Sequence, residues 1–147
     1  MKMDYGAVVH RDPWPEAITR EFDMARDNGC VGTRLLSETE RVRVWEVRLQ
    51  PGERIGFHRH VLDYFWTIMT AGRGRSRMQD GSTLERSYFA GETQHESYGP
   101  GESKMHDFEN IGEGELVSTA VEFLDSANAA LPLPEEVQRA CRQAERH

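Results

Sequence analysis

Residues 41–60 read RVRVWEVRLQPGERIGFHRH. In the first half, Trp45, Val47 and Leu49 alternate with Val44, Glu46 and Arg48, the period of two that a half-buried β-strand requires. Pro51-Gly52 stops that strand. Beyond the turn, His58 and His60 flank Arg59. Residues i and i+2 of an extended chain project to the same side, so both imidazoles point one way and Arg59 the other. Neutral imidazole is a good ligand for zinc, iron, nickel or copper, and two on one strand are half-organised before a metal arrives. Two ordinary surface histidines would give the same letters, so the choice falls to the rest of the chain.

The period of two extends on both sides of this segment. Residues 31–36 form a strand, 37–40 a turn and 41–50 a second strand. Downstream, residues 64–71 are rich in aromatic and β-branched side chains and are closed by Gly72. Residues 75–79 and 82–86 are joined by Asp80-Gly81, a strong two-residue hairpin signal. Three further strands, 93–98, 105–109 and 115–124, are separated by Gly99-Pro100-Gly101 and Gly112-Glu113-Gly114. Short strands at such spacing indicate an all-β antiparallel sandwich or barrel, with a core over residues 31–125. Helical patterns flank it. Over residues 13–29, Pro15 takes the first helical position, Gly29 ends the segment, and Ile18, Phe22 and Ala25 share a face. Over residues 133–146, Pro134, Glu135 and Glu136 start a helix whose thin stripe is Val137, Ala140, Cys141 and Ala144. That stripe suits docking on the barrel or on a second subunit. No internal repeat divides the chain, and residues 1–147 read as one domain.

A chain of 147 residues can build one core without disulfide or metal staples. Its 37% hydrophobic and 29% charged residues are a globular composition, not a disordered one. A net charge of -7 argues against nucleic acid as a partner, because phosphate binding needs a concentrated basic surface. Arg73, Arg75 and Arg77 alternate as the wet face of a strand would. Cys30 and Cys141 have no framework or metal spacing and read as reduced cytosolic thiols. The opening MKMDYGAVVHRD has no apolar run of signal-peptide length, and no stretch nears the roughly 18 apolar residues of a membrane helix. The expectation is a soluble cytoplasmic protein with no membrane partner.

The spacing around the histidines resembles the first motif of the cupin family: Pro51-Gly52, five residues, His58-Arg59-His60, a β-rich segment, then Gly72. His106-Asp107-Phe108-Glu109-Asn110 is similar to the His-x-x-x-Asn end of the second cupin motif. The resemblance covers residues 45–123. It implies a double-stranded β-helix, or jelly-roll, barrel with His58, His60 and His106 converging inside as metal ligands. Two departures accompany it. The family's glutamate ligand, four or five positions after the second histidine, is replaced by Tyr64 and Phe65, and Asp63 has the opposite strand parity. The Pro-Gly of the second motif is shifted, with four residues between Gly101 and His106.

Three neutral ligands leave a divalent charge uncompensated and at least one coordination position open, which suits an anionic, chelating small molecule. Cupins similar in lacking the glutamate include thiol and β-diketone dioxygenases with Fe(II) on three histidines, and the HRH…DY arrangement resembles small cupins named for β-alanine degradation. The resemblance therefore implies a non-haem Fe(II) dioxygenase, with zinc, manganese or nickel as other metals. Tyr64 is the catalytic candidate, its hydroxyl reaching a bound substrate or oxygen. A metal-dependent lyase or isomerase and a non-catalytic small-molecule-binding cupin are the alternatives. His95 and Glu96 lie on one strand, where parity lets only one face inward, and His95 reads as an ordinary histidine. Trp66 and Ile68 alternate as core residues. Glu109 and Glu122 fit either a site or an exposed face, and His10 and His147 need no role. Barrel edges favour a homodimer, with residues 1–30 and 132–147 as candidate covers.

Overall fold

The computed structural model describes residues 6–145, and His147, with the ends of both candidate covers, lies outside the described residues. Two antiparallel sheets face each other. The first contains β1 (Val8–His10), β4 (Arg54–His60), β6 (Gly72–Arg77), β7 (Thr83–Tyr88) and β9 (Lys104–Asn110), in the order β1-β7-β6-β9-β4. The second contains β2 (Arg34–Glu38), β3 (Val42–Leu49), β5 (Tyr64–Ile68), β8 (Thr93–Glu96) and β10 (Leu116–Phe123), in the order β2-β3-β10-β5-β8. Helices α1 (Glu16–Met24) and α2 (Glu135–Glu145) flank this double-stranded β-helix. The expected all-β jelly roll with short terminal helices is the observed architecture.

The alternation read in residues 41–50 sets the interior. Arg43, Trp45, Val47 and Leu49 are buried, and across the ladder they meet Glu122, Ala120, Ser118 and Leu116. Complete burial of a side chain such as Leu116 stabilises by about 1.5–3 kcal/mol. One layer of this interior is charged. Arg43 Nε donates to Glu38 at 2.7 Å and Trp45 Nε1 donates to Glu122 at 2.8 Å. Burial pushes the Glu122 carboxyl up to about 7 despite the Trp45 hydrogen bond and nearby Arg43. Because the folded value lies above the ordinary 4.5, the folded state holds this proton more tightly than the unfolded chain. The stability it contributes is complete below pH 4.5 and is lost as pH rises towards 7, a change on the order of 3 kcal/mol. Glu122→Gln is therefore expected to match the wild type at pH 4.5 and to exceed it by roughly 2–3 kcal/mol at pH 8. Urea unfolding at both pH values checks this, and an equal difference at both would refute it.

The outer face of the first sheet is not open. Phe57 and Met105 project from it into a cluster with Trp14, Ile18, Phe22 and Ala25, so the α1 face read from the sequence packs as expected. Beside that cluster runs a ladder of ion pairs: Glu21–Arg54, Arg54–Asp107, Asp107–Arg77, Arg77–Glu109, Glu109–Arg75 and Arg75–Glu85. The wet-face expectation for the arginines needs correcting. They do point outward, but Arg75 and Arg77 are half-buried rungs of this ladder, and Arg73 Nη1 donates to Ser87 at 2.9 Å.

Other boundaries differ for local reasons. Residues 31–33 are not strand, and the first strand of the second sheet continues through Glu38 after a bulge between Leu35 and Ser37. Gly72 opens β6 rather than closing a strand ending at Ala71, since β5 stops at Ile68. Helix α1 ends at Met24, five residues before Gly29. The short β1 was not foreseen, because three residues carry too little periodicity to read. On α2 only Val137 and Cys141 reach the Val31, Leu35 and Trp45 cluster. Ala140 and Ala144 are exposed, so the stripe is an i, i+4 edge rather than a broad face. It lies on the barrel, where Gln138 Nε2 donates to Glu38 at 2.9 Å.

Candidate metal centre

Strand β4 reaches the site through an irregularity. Its pairing with β9 slips between Ile55 and His58, after which His58 faces His106, Arg59 faces Met105 and His60 faces Lys104. The extra residue lets Ile55 and His58, of opposite parity, both line the interior. Gly56 sits at that slip, where a Cβ would approach Glu21 Oε2 of α1 to 3.2 Å. Its carbonyl also accepts the Nδ1–H of His58 at 2.8 Å. That hydrogen bond selects the tautomer whose Nε2 is free to ligate.

The structure brings His58, His60 and His106 together. One ligand nitrogen from each lies within 4.8 Å of the others, and the ring centroids are separated by 4.7, 4.9 and 5.1 Å. His60 Nε2 and His106 Nε2 stand 3.1 Å apart, close to the roughly 3.3 Å expected between tetrahedral ligands on bonds of 2.0–2.1 Å. Two facing nitrogens can share a proton or a cation; a third imidazole aimed at the same point favours the cation. His60 Nδ1 is buried without a hydrogen-bond partner, an expense on an isolated ring that ligation through Nε2 would offset. Burial lowers all three basicities, taking His58 to about 4 and the other two well below their ordinary value. The rings are thus neutral at pH 7, the state in which imidazole binds metal. The residues fit a divalent ion.

Tyr64 takes the place of the family's glutamate, and its ring stacks on His60 at 4.2 Å with planes 7° apart. Tyr98 lies parallel behind it at 6.4 Å. Burial keeps the Tyr64 phenol protonated far above its ordinary range. Asp63 faces away from the site and accepts the Tyr98 N–H at 3.0 Å. Asn110, the end of the second motif, is a turn clamp. Its Nδ2 donates to the Leu49 and Gly114 carbonyls at 2.9 and 2.8 Å, and its Oδ1 accepts from Gly112 N–H. His95 is exposed beside Phe65, while Glu96 lines the cavity. His10 lies 3.4 Å from Glu85 at the surface.

The histidines open on a cavity of about 240 Å³ walled by Ile68, Trp66, Met78, Tyr88 and Phe108. Two cationic groups there were missed: Lys104 and Arg86. The signal for Lys104 was present, since it lies two residues before His106 and shares its strand face.

No protein-family model and no curated protein matches the chain. A cupin domain from Bordetella pertussis Tohama I is 29% identical over 68% of this chain and 97% of its own length, with a TM-score of 0.55. A conserved protein with a double-stranded β-helix domain from Klebsiella pneumoniae subsp. pneumoniae MGH 78578 is 19% identical over 81% of this chain and 95% of its own, with a TM-score of 0.51. The latter similarity speaks to the fold alone. A two-sheet jelly roll enclosing three inward imidazoles is a cupin-type arrangement able to hold a metal ion. With the Bordetella similarity, the chain is a small member of the cupin superfamily. Among the described residues no helix is long and apolar enough to cross a membrane.

Proposed function

We propose that the protein is a metal-dependent cupin enzyme acting on a small, anionic metabolite, and that its chemistry is that of a non-haem Fe(II) dioxygenase. The observation that carries this reading is the trio His58, His60 and His106, three neutral donors close enough to share one ion, with no carboxylate among them. When bound, Fe(II) would supply open positions at which substrate and dioxygen meet, together with the electrons oxygen requires. The protein's part is placement. Gly56 fixes the His58 tautomer, Tyr64 holds the His60 ring, and the aromatic walls exclude bulk water. Tyr64 is proposed as the residue that donates a hydrogen bond to bound substrate or oxygen, its phenol remaining protonated at neutral pH.

A lyase or isomerase on the same centre is the second reading. It is favoured by Lys104 and Glu96, two groups able to move protons, whose Nζ and Oε1 lie 3.7 Å apart on the cavity wall. Oxygen separates the two. For the dioxygenase, turnover by the iron-loaded protein is expected to stop under anaerobic conditions and to return with air, one O₂ consumed per product. Unchanged anaerobic turnover would assign the centre to lyase or isomerase chemistry.

A further inference from the structure

Across the β4–β9 ladder, His58 pairs with His106 and His60 pairs with Lys104. All four side chains face the cavity. They occupy the corners of a rectangle whose sides are set by the ladder, roughly 5 Å across strands and about 7 Å along them. Three corners are imidazoles. The fourth is an ammonium group, which has three donors and no lone pair, so Lys104 cannot complete the metal's ligand set while charged.

Its surroundings leave that charge poorly answered. Lys104 Nζ stands 5.6 Å from the Tyr64 ring centroid, and its side chain is 21% exposed. The ion pair with Glu96 measures 3.7 Å, longer than the roughly 2.7–2.9 Å of a charge-assisted hydrogen bond, so donors remain to be used. The other cation on the wall, Arg86, is already engaged: it contacts Glu92 and lies 4.1 Å over the Tyr88 ring. The rest of the lining is largely apolar, Trp66, Met78 and Phe108 included, with Ser76, Gln94 and Ser118 as its neutral polar side chains.

We propose that Lys104 determines specificity by binding a substrate carboxylate that is separate from the metal-chelating group. This rests on the metal-centre reading above and names the substrate class: a short dianion, a chelating head joined to a carboxylate by a hydrocarbon spacer. The volume, about 240 Å³, lies below the 300–1,000 Å³ or so of drug-sized sites and restricts the spacer to a few carbons. Glu96 holds the ammonium in position until the carboxylate arrives.

Succinic acid monohydroxamate and butyrohydroxamate test this, since they share a chelating head and differ by a carboxylate in place of a methyl. Isothermal titration calorimetry on zinc-loaded wild type is expected to show the carboxylate-bearing probe binding at least about tenfold tighter. In Lys104→Met that preference should fall to about twofold or less, with butyrohydroxamate affinity kept, and Lys104→Arg should restore it. A merely structural lysine would weaken both probes together. The proposal is overturned if wild type shows no preference, if Lys104→Met keeps it, or if neither probe binds zinc-loaded protein. Zinc stoichiometry, measured first, separates the failures. Wild type that binds no zinc removes the metal centre and this inference together, whereas a zinc-loaded site indifferent to residue 104 removes only the inference.

Discussion

His106→Ala is expected to abolish stoichiometric metal binding. Residue 106 supplies the only imidazole of the trio from β9; the other two, on β4, would hold an ion from one strand and leave its opposite side to water. Removing hydrogen-bond partners of ligands costs about 10–100-fold in affinity, so losing a ligand should exceed 100-fold. Elemental analysis of freshly purified protein and competition with a chelator give the two measurements. A second outcome follows from burial. In the metal-free protein the three desolvated rings gain only the His60–His106 hydrogen bond by lying together, so the variant should unfold within about 1 kcal/mol of metal-free wild type. Only the metal-loaded wild type should rise above both, by linkage. Full metal content in His106→Ala would remove His106 from the ligand set.

Asp107→Ala, one residue further along β9, is expected to act on the opposite face of the sheet and through stability alone. The carboxylate is fully buried. Its Oδ1 accepts the Arg77 backbone N–H at 2.6 Å, and its Oδ2 accepts from Arg77 Nη1 at 2.7 Å and from Arg54 Nη2 at 2.9 Å. Replacing it leaves two half-buried guanidinium groups without their shared anion and breaks the ladder that ties α1 to the barrel. Removing one member of a buried charge network costs about 3–5 kcal/mol, a large part of the stability of a domain this size. Urea unfolding measures the loss, and a change under about 1 kcal/mol would show that the ladder contributes little. Metal content of the folded fraction should be unchanged, since Asp107 projects away from the cavity. Adjacent residues of one strand would then separate binding from stability.

Much of this molecule was legible in the letters because its decisive signals are local. The alternation through Trp45, Val47 and Leu49, the Asp80-Gly81 hairpin and the glycine-marked turns act over two to ten residues, and each appears in the structure near its expected place, although the hairpin closes between Met78 and Ser82 over three residues rather than two. His58 and His60 were placed on one face by strand parity, and the motif resemblance joined His106 to them. What sequence periodicity could not supply was pairing between distant segments. The slip at Gly56, which turns Ile55 and His58 inward together, exists because β4 must pair with β9 and make room for Glu21. The rungs formed by Arg75 and Arg77 have the same origin: alternation showed that they point outward, but not that Asp107, Glu109 and Glu85 would meet them. Lys104 is the sharpest case. Its parity was readable, but its position as the fourth corner beside three imidazoles depends on the β4–β9 register, a relation between residues more than forty apart that only the closed barrel creates.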